Sequence, residues 1–592
     1  MAENDINNSK IEVLQHNTAR TAPIMHTTLE LAFQANIDFV LLQEPYIASD
    51  NKGTVSHPAY TAIIPTPREN IRPRVAIFAR KDTKYSYSAR PDITDDPDLL
   101  ILTISGRGVA PFQLINLYNE AGLGINQDWT VKRSLQDIQP DSRAIVCGDF
   151  NAHHSWWNST ISTPIRCLEL IPWLEQYNFE LKSRVDIATC YPPNANDDTI
   201  SIIDLLFATK AIEADIDNWH VDEKVATGSD HELIRFSIRT KLTDLFINPI
   251  EVDKYNLQKA DWKKFSEYLK QSYTTTTTTI LNEISKENLD KHSLDNIAKI
   301  LGQAIQSAAD TAIPKRKTSY RSKPWWNNEL KQARERLSHS KRVWKRNRDE
   351  QSYKTYTASR NSYFSSIKTA KQTLWDSFLE NAKGKEVYKA FQYTKYNKVE
   401  RIPIIKYKEN GTDKIALNFE EKSNVLISSL FPKPPITEPP DWTEYRPSLA
   451  WKWPNLEQEE ISNAIFTSST KSAPGPDRIS FKIIQQAYLA IPETFYKVYS
   501  TLIDKGYHPK PWREAIGVVL RKPNNDSRRD YSMPKSYRVI ALLNCLGKIA
   551  EKIMASRLSY LAETTNLLYP DQIGGRARKS AIDAALSLTH NI

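Results

Sequence analysis

Short hydrophobic runs separated by polar segments dominate the first 240 residues, and they predict a domain with many β-strands. The predicted strands are residues 11–14, 38–42, 60–64, 75–79, 99–104, 112–117, 144–147, 201–207 and 233–238. Residues 21–34, 128–138 and 164–177 repeat hydrophobic positions every three to four residues, which predicts helices. This arrangement favours an α/β domain in which two sheets pack face to face with helices outside.

The pattern changes near residue 250, where long helical periodicity replaces the short strands. We predict a helical linker over 250–400, a proline-rich connector with a small strand pair over 401–455, and a mainly helical region over 456–592. A run of six threonines at 274–279 is predicted to be a loop or a poor strand. The pattern assigns this run no function.

Composition narrows the class of protein. A length of 592 residues corresponds to three or four domains, and a hydrophobic fraction of 40% suffices for globular cores. The four cysteines form no Cys-x-x-Cys pair, which argues against zinc knuckles and a disulfide framework. No signal peptide or membrane-spanning run is present in the sequence. We therefore expect an intracellular, soluble protein with no membrane partner, and the sequence leaves its oligomeric state open.

The net charge of +9 indicates a polyanionic partner only where the basic residues cluster. They do so over 315–348, where acidic residues are few and two tryptophans are adjacent. One interpretation is an ordinary solvated helix face, and the other is a nucleic-acid-binding surface. Under the second interpretation, the candidates for phosphate contact are Lys341, Arg342, Lys345 and Arg346.

Polar side chains follow several predicted strands at the points where the strands end. The densest group is Gly148-Asp149-Phe150-Asn151-Ala152-His153-His154, directly after strand 144–147. Further polar residues at strand ends are Asn17, Glu44 and Tyr118, while Asp204 lies inside a hydrophobic strand. A turn in which Asp149 bonds its own backbone is the simpler interpretation of that residue alone. Carboxylate and amide oxygens are also the ligands that Mg²⁺ prefers.

Six polar motifs follow one another along the first 240 residues. They are Gln15-His16-Asn17, Gln43-Glu44-Pro45, Asn116-Leu117-Tyr118, Gly148-Asp149-Phe150-Asn151-Ala152-His153-His154, Ser201-Ile202-Ile203-Asp204 and Ser229-Asp230-His231. In this order they resemble the endonuclease/exonuclease/phosphatase superfamily, and within it the apurinic-like endonuclease domain of LINE-type (non-LTR) retrotransposons. The resemblance covers residues 8–240. It implies a four-layer α/β sandwich with two mostly antiparallel sheets flanked by helices.

The resemblance also implies a metal and a water-activating group. Glu44 would be the principal Mg²⁺ ligand, helped by Asn17 and Asp230, and Mn²⁺ would substitute for Mg²⁺. Asp149 would position the attacking water and deprotonate it. The implied substrate is duplex DNA, which places the site of action in the nucleus.

The remaining implied roles concern the phosphate and the DNA strand. Asn151 and His231 would bind phosphate oxygens as charge builds in the transition state. Tyr118 would donate a hydrogen bond to the phosphate, and Asp204 would orient His231 and keep it protonated. Three more residues, Thr189, Ser201 and Ser229, would contact the nucleic acid. His153 and His154 are equally compatible with simple loop structure.

The region 456–592 resembles the first part of LINE-type reverse transcriptases. The matching stretches are Ser472-Ala473-Pro474-Gly475-Pro476-Asp477-Arg478-Ile479, Lys535-Ser536-Tyr537-Arg538-Val539-Ile540-Ala541-Leu542-Leu543, Gly547-Lys548-Ile549-Ala550-Glu551-Lys552-Ile553 and Asp571-Gln572-Ile573-Gly574-Gly575-Arg576. Val539 replaces the usual proline of the family. The resemblance implies a partial fingers region in which Arg538 lies near the template or nucleotide, truncated before the palm that carries the polymerase carboxylates. Element RNA is then a further possible partner.

Three functions compete at this point. The first is a Mg²⁺-dependent endonuclease that nicks DNA to leave 3′-hydroxyl ends for target-primed reverse transcription, fused to an incomplete reverse transcriptase. The second is a phosphatase of the same fold, which the basic segment and the polymerase-like motifs disfavour. The third is a non-enzymatic nucleic-acid-binding remnant, which an intact catalytic constellation disfavours. Target-site preference does not follow from the sequence.

Overall fold

The computed structural model describes most of the chain and divides it into two compact units. The described residues are 9–48, 53–65, 71–106, 109–120, 128–192, 200–240, 255–271, 273–284, 289–315, 323–381, 402–409, 411–434, 438, 453–523, 529–565, 567–569, 571–576 and 578–590. The first unit comprises Met1–Asn248, Ser319–Pro432 and Asp526–Ser536, and the second comprises Pro249–Thr318, Lys433–Asn525 and Tyr537–Ile592.

Sixteen strands lie within the described residues. They are β1 (Ser9–Asn17), β2 (Phe39–Gln43), β3 (Tyr60–Ile63), β4 (Val75–Arg80), β5 (Ser86–Ala89), β6 (Leu99–Gly106), β7 (Val109–Tyr118), β8 (Ala144–Asp149), β9 (Phe179–Leu181), β10 (Asp204–Thr209), β11 (Ile216–Val221), β12 (Ile234–Thr240), β13 (Ile405–Glu409), β14 (Thr412–Ala416), β15 (Ala515–Arg521) and β16 (Tyr537–Leu543). The nine strands predicted for the first 240 residues are present. The short strands β5, β9 and β11 were not predicted from the hydrophobic pattern.

The α-helices in the same described residues are α1 (Ala22–Gln34), α2 (Thr130–Arg133), α3 (Leu170–Gln176), α4 (Trp262–Gln271), α5 (Tyr273–Ile284), α6 (Lys291–Ala312), α7 (Asn328–Asn347), α8 (Glu350–Asn381), α9 (Phe419–Leu430), α10 (Gln458–Phe466), α11 (Phe481–Ala490), α12 (Pro492–Asp504), α13 (Lys510–Arg513), α14 (Cys545–Thr564) and α15 (Ala581–His590). The helix predicted at 128–138 is only the short α2 followed by a 3₁₀ turn. Among the described residues, no helix combines the length and hydrophobicity needed to cross a bilayer.

The first unit contains the predicted α/β sandwich. One sheet has the order β11-β12-β1-β2-β4-β3 and the other β5-β6-β7-β8-β10-β9. Only the pairs β1–β2 and β7–β8 are parallel, and the other neighbours are antiparallel. A hydrophobic core fills the space between the sheets, while α1 covers the outer face of one sheet and α3 that of the other. The predicted four-layer architecture is therefore confirmed.

Strands in the middle of these sheets are buried on both faces. β2, β8 and β10 have no exposed residue, which explains why they read as continuous hydrophobic runs rather than as alternating ones. Asn116 is buried on β7 and donates from Nδ2 to the carbonyls of Leu42 and Ala76, at 3.1 and 3.0 Å. These bonds join the two sheets and satisfy a polar side chain inside the core.

The linker predicted over 250–400 is divided between the two units. Helices α7 and α8 belong to the first unit and form a hairpin. Asn327 caps the start of α7, and Arg348 ends it in a left-handed conformation with φ of 56°. Trp344 stacks on Tyr356 across the hairpin, with ring centroids 5.2 Å apart. Residues 316–322 of the basic segment lie outside the described residues.

The second unit is mainly helical, with one antiparallel hairpin of β15 and β16. Its core gathers hydrophobic side chains from α4, α5, α6, α10, α11, α12, α13 and α14. The threonine run lies inside α5, so the predicted loop or strand at 274–279 was wrong. The strand pair predicted in the connector is present as β13 and β14 in the first unit. Most of the proline-rich stretch beyond it lies outside the described residues.

Candidate active site

Four polar side chains from separate segments meet at one edge of the sandwich. Asn17 ends β1, Asp149 ends β8, Asp204 begins β10 and His231 precedes β12. The antiparallel register of β8 and β10 places Asp204 directly opposite Asp149. Asn17 Nδ2 donates to Asp149 Oδ2 at 3.0 Å, and His231 Nδ1 lies 2.8 Å from Asp204 Oδ2. His231 Nε2 lies 3.9 Å from Asp149 Oδ2, so one imidazole faces both carboxylates.

Unusual backbone conformations shape this edge. Gly148 has φ of 155°, and a Cβ built on it would lie 1.9 Å from the carbonyl oxygen of Leu117 on the neighbouring strand. Only glycine permits this close approach. Glu44 and Asn151 both have positive φ, 45° and 44°, although neither is glycine. Strain of this kind persists where the surrounding structure fixes it, and it is frequent at functional sites.

The carboxylates and His231 perturb one another because they are buried together. Burial, reinforced by the neighbouring charge of Asp204, raises the pKa of Asp149 to about 7. Burial opposes the charged form of His231, but the Asp204 carboxylate outweighs it, and the pKa of His231 lies well above its usual value. The site therefore combines a carboxyl group that titrates near neutrality with an imidazolium that persists above it.

The donor chemistry fits a hard divalent cation. Within the described part of the chain, the possible ligand atoms of Asp149, Asp204 and His231 lie within 4.8 Å of one another, and so do those of Asp230, Cys190 and His231. The Asn17 amide contacts Asp149, and the Glu44 carboxylate lies beside Tyr118. Among the described residues, Asp204 Oδ1 is buried without a hydrogen-bond partner, which is costly unless a cation or donor approaches it. Arg20 Nη2 lies 2.6 Å from Glu44 Oε1, so a cation at Glu44 would compete with this guanidinium.

Tyr118 and Asn119 close the site on the β7 side. Burial, together with the charges of Glu44 and Asp149, raises the pKa of Tyr118 above its usual value, so its hydroxyl stays protonated. Its OH donates to Glu120 Oε2 at 3.3 Å. Asn119 is buried and donates from Nδ2 to the carbonyl of Phe150 at 2.8 Å, which fixes the turn after Asp149.

Two of the predicted nucleic-acid contacts are interior residues. Thr189 is buried, and its hydroxyl accepts hydrogen bonds from the backbone N–H groups of Ile203 and Asp204, both at 3.1 Å. Ser229 is buried as well, and its hydroxyl donates to the carbonyl of Asn17 at 2.8 Å. These side chains position the site and do not present themselves to DNA. Ser201 is half-buried and pairs with Cys190 through its backbone.

The predicted basic cluster on α7 separates into two pairs. Arg342 and Arg346 are exposed, as a phosphate contact requires. Lys341 is buried and Lys345 is mostly buried, and both face Glu232. Burial and this ion pairing remove Lys341 from any surface that could bind phosphate. Arg538, in the second unit, is exposed on β16 opposite Leu520.

The two histidines after Asn151 have structural roles. His153 forms an antiparallel bridge with Ile165, and His154 Nδ1 accepts from the backbone N–H of Trp156 at 3.1 Å. Burial and the nearby Arg166 lower the pKa of His153. Both residues therefore stabilise the loop that follows the site.

Three neighbours of the site were missed from the sequence. Arg20 reaches Glu44 from the turn after β1, and Cys190 lies beside His231 and Asp230, with the possible ligand atoms of all three within 4.8 Å of one another. Glu232 is buried and follows the Ser-Asp-His motif. Glu232 lies two positions before β12 and next to the hydrophobic Leu233, and this was a signal that its carboxylate needs a buried partner.

Comparison with known proteins identifies one family model and several sequence relatives that the chain resembles. The family model described as "Endonuclease-reverse transcriptase" matches residues 112–235. The chain is 25% identical over 343 residues to a retrovirus-related Pol polyprotein from type-1 retrotransposable element R1 of Bradysia coprophila, covering 56% of this chain and 32% of the relative. It is 24% identical over 571 residues to a probable RNA-directed DNA polymerase from transposon BS of Drosophila melanogaster, covering 91% and 57%.

A solved structure with similarity to the chain is the endonuclease domain of TRAS1, a telomere-specific non-LTR retrotransposon. It is 23% identical, with a TM-score of 0.33, and the match covers 40% of this chain and 100% of that domain. The chain spans from about one third to just over half of the length of the two sequence relatives above.

Proposed function

We propose that this chain, a relative of the LINE-type (non-LTR) retrotransposon proteins that join an endonuclease to a reverse transcriptase, is a Mg²⁺-dependent DNA endonuclease. The relationship was predicted from the sequence motifs, and the family match and the sequence relatives confirm it. The observation that carries the proposed activity is the meeting of Asn17, Asp149, Asp204 and His231 at one edge. Hydrogen bonds join Asn17 to Asp149 and His231 to Asp204, and His231 Nε2 lies 3.9 Å from Asp149 Oδ2.

The metal would be held by Glu44, Asn17 and Asp230, and it would supply a Lewis acid on the scissile phosphate. Mn²⁺ has the same preference for oxygen ligands and would substitute for Mg²⁺. The proposal rests on the oxygen donors and on the unpartnered buried oxygen of Asp204 in the described part of the site.

The chain's own residues would move the proton and stabilise the charge. Asp149 would accept the proton of the attacking water, and its pKa of about 7 is close to the value that favours general base catalysis at neutral pH. His231, held as an imidazolium by Asp204, would donate to a phosphate oxygen. The amide of Asn151 and the protonated hydroxyl of Tyr118 would donate to the remaining phosphate oxygens.

The family resemblance implies cleavage that leaves a 3′-hydroxyl, which can prime DNA synthesis. We infer that duplex DNA is the substrate, that element RNA is a further partner, and that the nucleus is the site of action. Residues 456–592 would form the first part of a reverse-transcriptase fingers region. The exposed Arg538 on the β15–β16 hairpin would approach template or nucleotide there.

The experiment compares two phosphate substrates with the full chain. Supercoiled plasmid and a soluble inositol polyphosphate are incubated with Mg²⁺, with Mn²⁺ and with excess chelator. We expect metal-dependent conversion of plasmid to the nicked circle, extension of the nick by an added DNA polymerase, and no release of inorganic phosphate. Phosphate release with intact plasmid would assign the chain to the phosphatases, and inactivity towards both substrates would favour the non-enzymatic remnant.

A further inference from the structure

Within the first unit, the α7–α8 hairpin packs on the sandwich beside the loop that carries Asp230 and His231. Its hydrophobic contacts gather around Ala226, just before the loop. The backbone N–H of Ala226 donates to Ser338 Oγ on α7 at 3.0 Å. Thr27 on α1 is hydrogen-bonded to the hydroxyl of Tyr363 on α8 at 2.9 Å. These contacts tie the hairpin to α1 and to the segment that precedes the loop.

A buried ion pair joins α7 to the loop itself. Lys341 Nζ lies 2.8 Å from Glu232 Oε1, and the two side chains are only 4% and 2% exposed. Lys345, one helical turn further on the same face of α7, lies 3.5 Å from the same oxygen. Burial disfavours the charged form of Lys341, but Glu232 outweighs it, and the pKa of Lys341 is raised. Lys341 therefore keeps its charge in the interior.

A buried ion pair is weak evidence for stability, because the cost of desolvation offsets the attraction. The second bond of Lys341 is more specific, since Nζ also donates to the carbonyl of Ser229 at 3.0 Å. Ser229 in turn donates from its hydroxyl to the carbonyl of Asn17 at 2.8 Å and accepts from the N–H of His231 at 3.2 Å. Lys341 is thus linked through one residue to both Asn17 and His231.

The start of the loop is also covered by the hairpin. Gly228 has φ of 97°, and a Cβ at this position would lie 2.7 Å from the ring of Phe364 on α8. The ring therefore packs directly on the glycine backbone. Contacts with α7 and α8 consequently hold both ends of the segment 226–232.

We propose that the α7–α8 hairpin is part of the catalytic unit and that Lys341 is a positioning residue for the loop that carries Asp230 and His231. Lys341 acts through the carbonyl of Ser229 and the carboxylate of Glu232, not by contact with DNA. This inference rests on the proposed nuclease function. It assigns the basic segment a role in catalysis that is distinct from phosphate binding.

The test uses the full chain. It separates the cost of leaving a buried charge unpaired from the loss of the bonds that position the loop. Lys341→Met removes both bonds but leaves Glu232 with Lys345 as its ionic partner. The double variant Glu232→Gln/Lys341→Met removes both charges of the Lys341–Glu232 pair, so neither is left buried without the other. Lys345, whose side chain is 16% exposed, remains as the one charge of this group. Lys331→Met is the matched control, because Lys331 is exposed on the same helix. Lys341→Arg restores a cationic donor.

We expect the double variant to retain the wild-type thermal unfolding midpoint and DNA KM but to lose about 10²-fold in kcat, as a catalytic group displaced by about 1 Å does. Lys331→Met should match wild type, and Lys341→Arg should recover most of the activity lost in Lys341→Met. Unchanged kcat in the double variant would overturn the inference. A wild-type chain that does not nick any plasmid would instead overturn the proposed function.

Hydrogen exchange provides a readout that does not depend on activity. Amide protection of peptides covering 224–232 is measured in wild type, in the double variant and in Lys331→Met. We expect faster exchange over this segment in the double variant only, while the sheet peptides stay unchanged. Equal protection in all three proteins would show that Lys341 does not hold the loop, whatever the activity of the chain.

Discussion

Gly148→Ala tests the packing that brings Asp149 to the site. The added Cβ would lie 1.9 Å from the carbonyl oxygen of Leu117, whereas contacts below 3.0 Å are essentially never observed. β7 and β8 must therefore separate by about 1 Å at the register pair Leu117–Gly148, adjacent to the pair Tyr118–Asp149. Overpacking costs about 1–3 kcal/mol, and a side chain in this glycine conformation about 1–3 kcal/mol more. We therefore expect the free energy of unfolding of the first unit to fall by about 2–6 kcal/mol.

The assay is limited proteolysis across a urea series, read by mass spectrometry so that the two units are followed separately. The control is Gly302→Ala in the middle of α6, where an added Cβ meets nothing within 4 Å. Alanine there should stabilise the second unit by about 0.5–1 kcal/mol. The same chemical change thus has opposite signs at the two positions. The reasoning would be refuted if the first unit of Gly148→Ala had a free energy of unfolding within about 0.5 kcal/mol of the wild-type value.

Three further predictions concern the electrostatics of the site. Asp204→Asn removes the charge that raises the pKa of His231, so the nicking rate should decline at a lower pH than in wild type. The prediction would be contradicted if the alkaline side of the pH–rate profile were the same in both proteins. Arg20→Ala removes a competing cation from Glu44, so half-maximal nicking should need less Mg²⁺. Because Arg20 is largely exposed, we expect a decrease of up to about fivefold, and an increased Mg²⁺ requirement would argue against Glu44 as a ligand. Arg346→Gln should flatten the log–log salt dependence of DNA binding by about 0.9 if this exposed side chain contacts a phosphate, and an identical slope would exclude that contact.

Much of the sandwich could be predicted because its signals are local. Strands such as β2 and β8 are hydrophobic throughout, and the polar residues after them mark strand ends at the site edge. Short edge strands such as β5 and β9 carry no such run and were missed. The threonine run was predicted as a loop or a poor strand, but the structure places it in α5, although threonine has a low helix propensity and a high β-propensity.

The parts of the site that depend on distant segments could not be predicted in the same way. Glu232 and Lys341 are more than 100 positions apart, and neither is unusual in its local sequence. Lys341 therefore looked like one of several solvated or phosphate-binding cations on a basic helix. Thr189 and Ser229 were predicted to contact nucleic acid, but their hydroxyls accept hydrogen bonds from buried backbone N–H groups. The sequence alone does not distinguish such a buried hydroxyl from a hydroxyl on the surface.

The central claim is that Asp149 activates water at this site, and the nicking rate of Asp149→Ala tests it most directly. Single-turnover nicking of supercoiled plasmid is measured for wild type and Asp149→Ala, with DNA binding measured in parallel in the presence of Ca²⁺. We predict a rate loss of about 10²–10⁴-fold with DNA affinity within about threefold of wild type, because the general base is lost and the binding charges lie elsewhere. Nicking by Asp149→Ala at a rate close to wild type would show that the catalytic site is not at this edge of the sandwich.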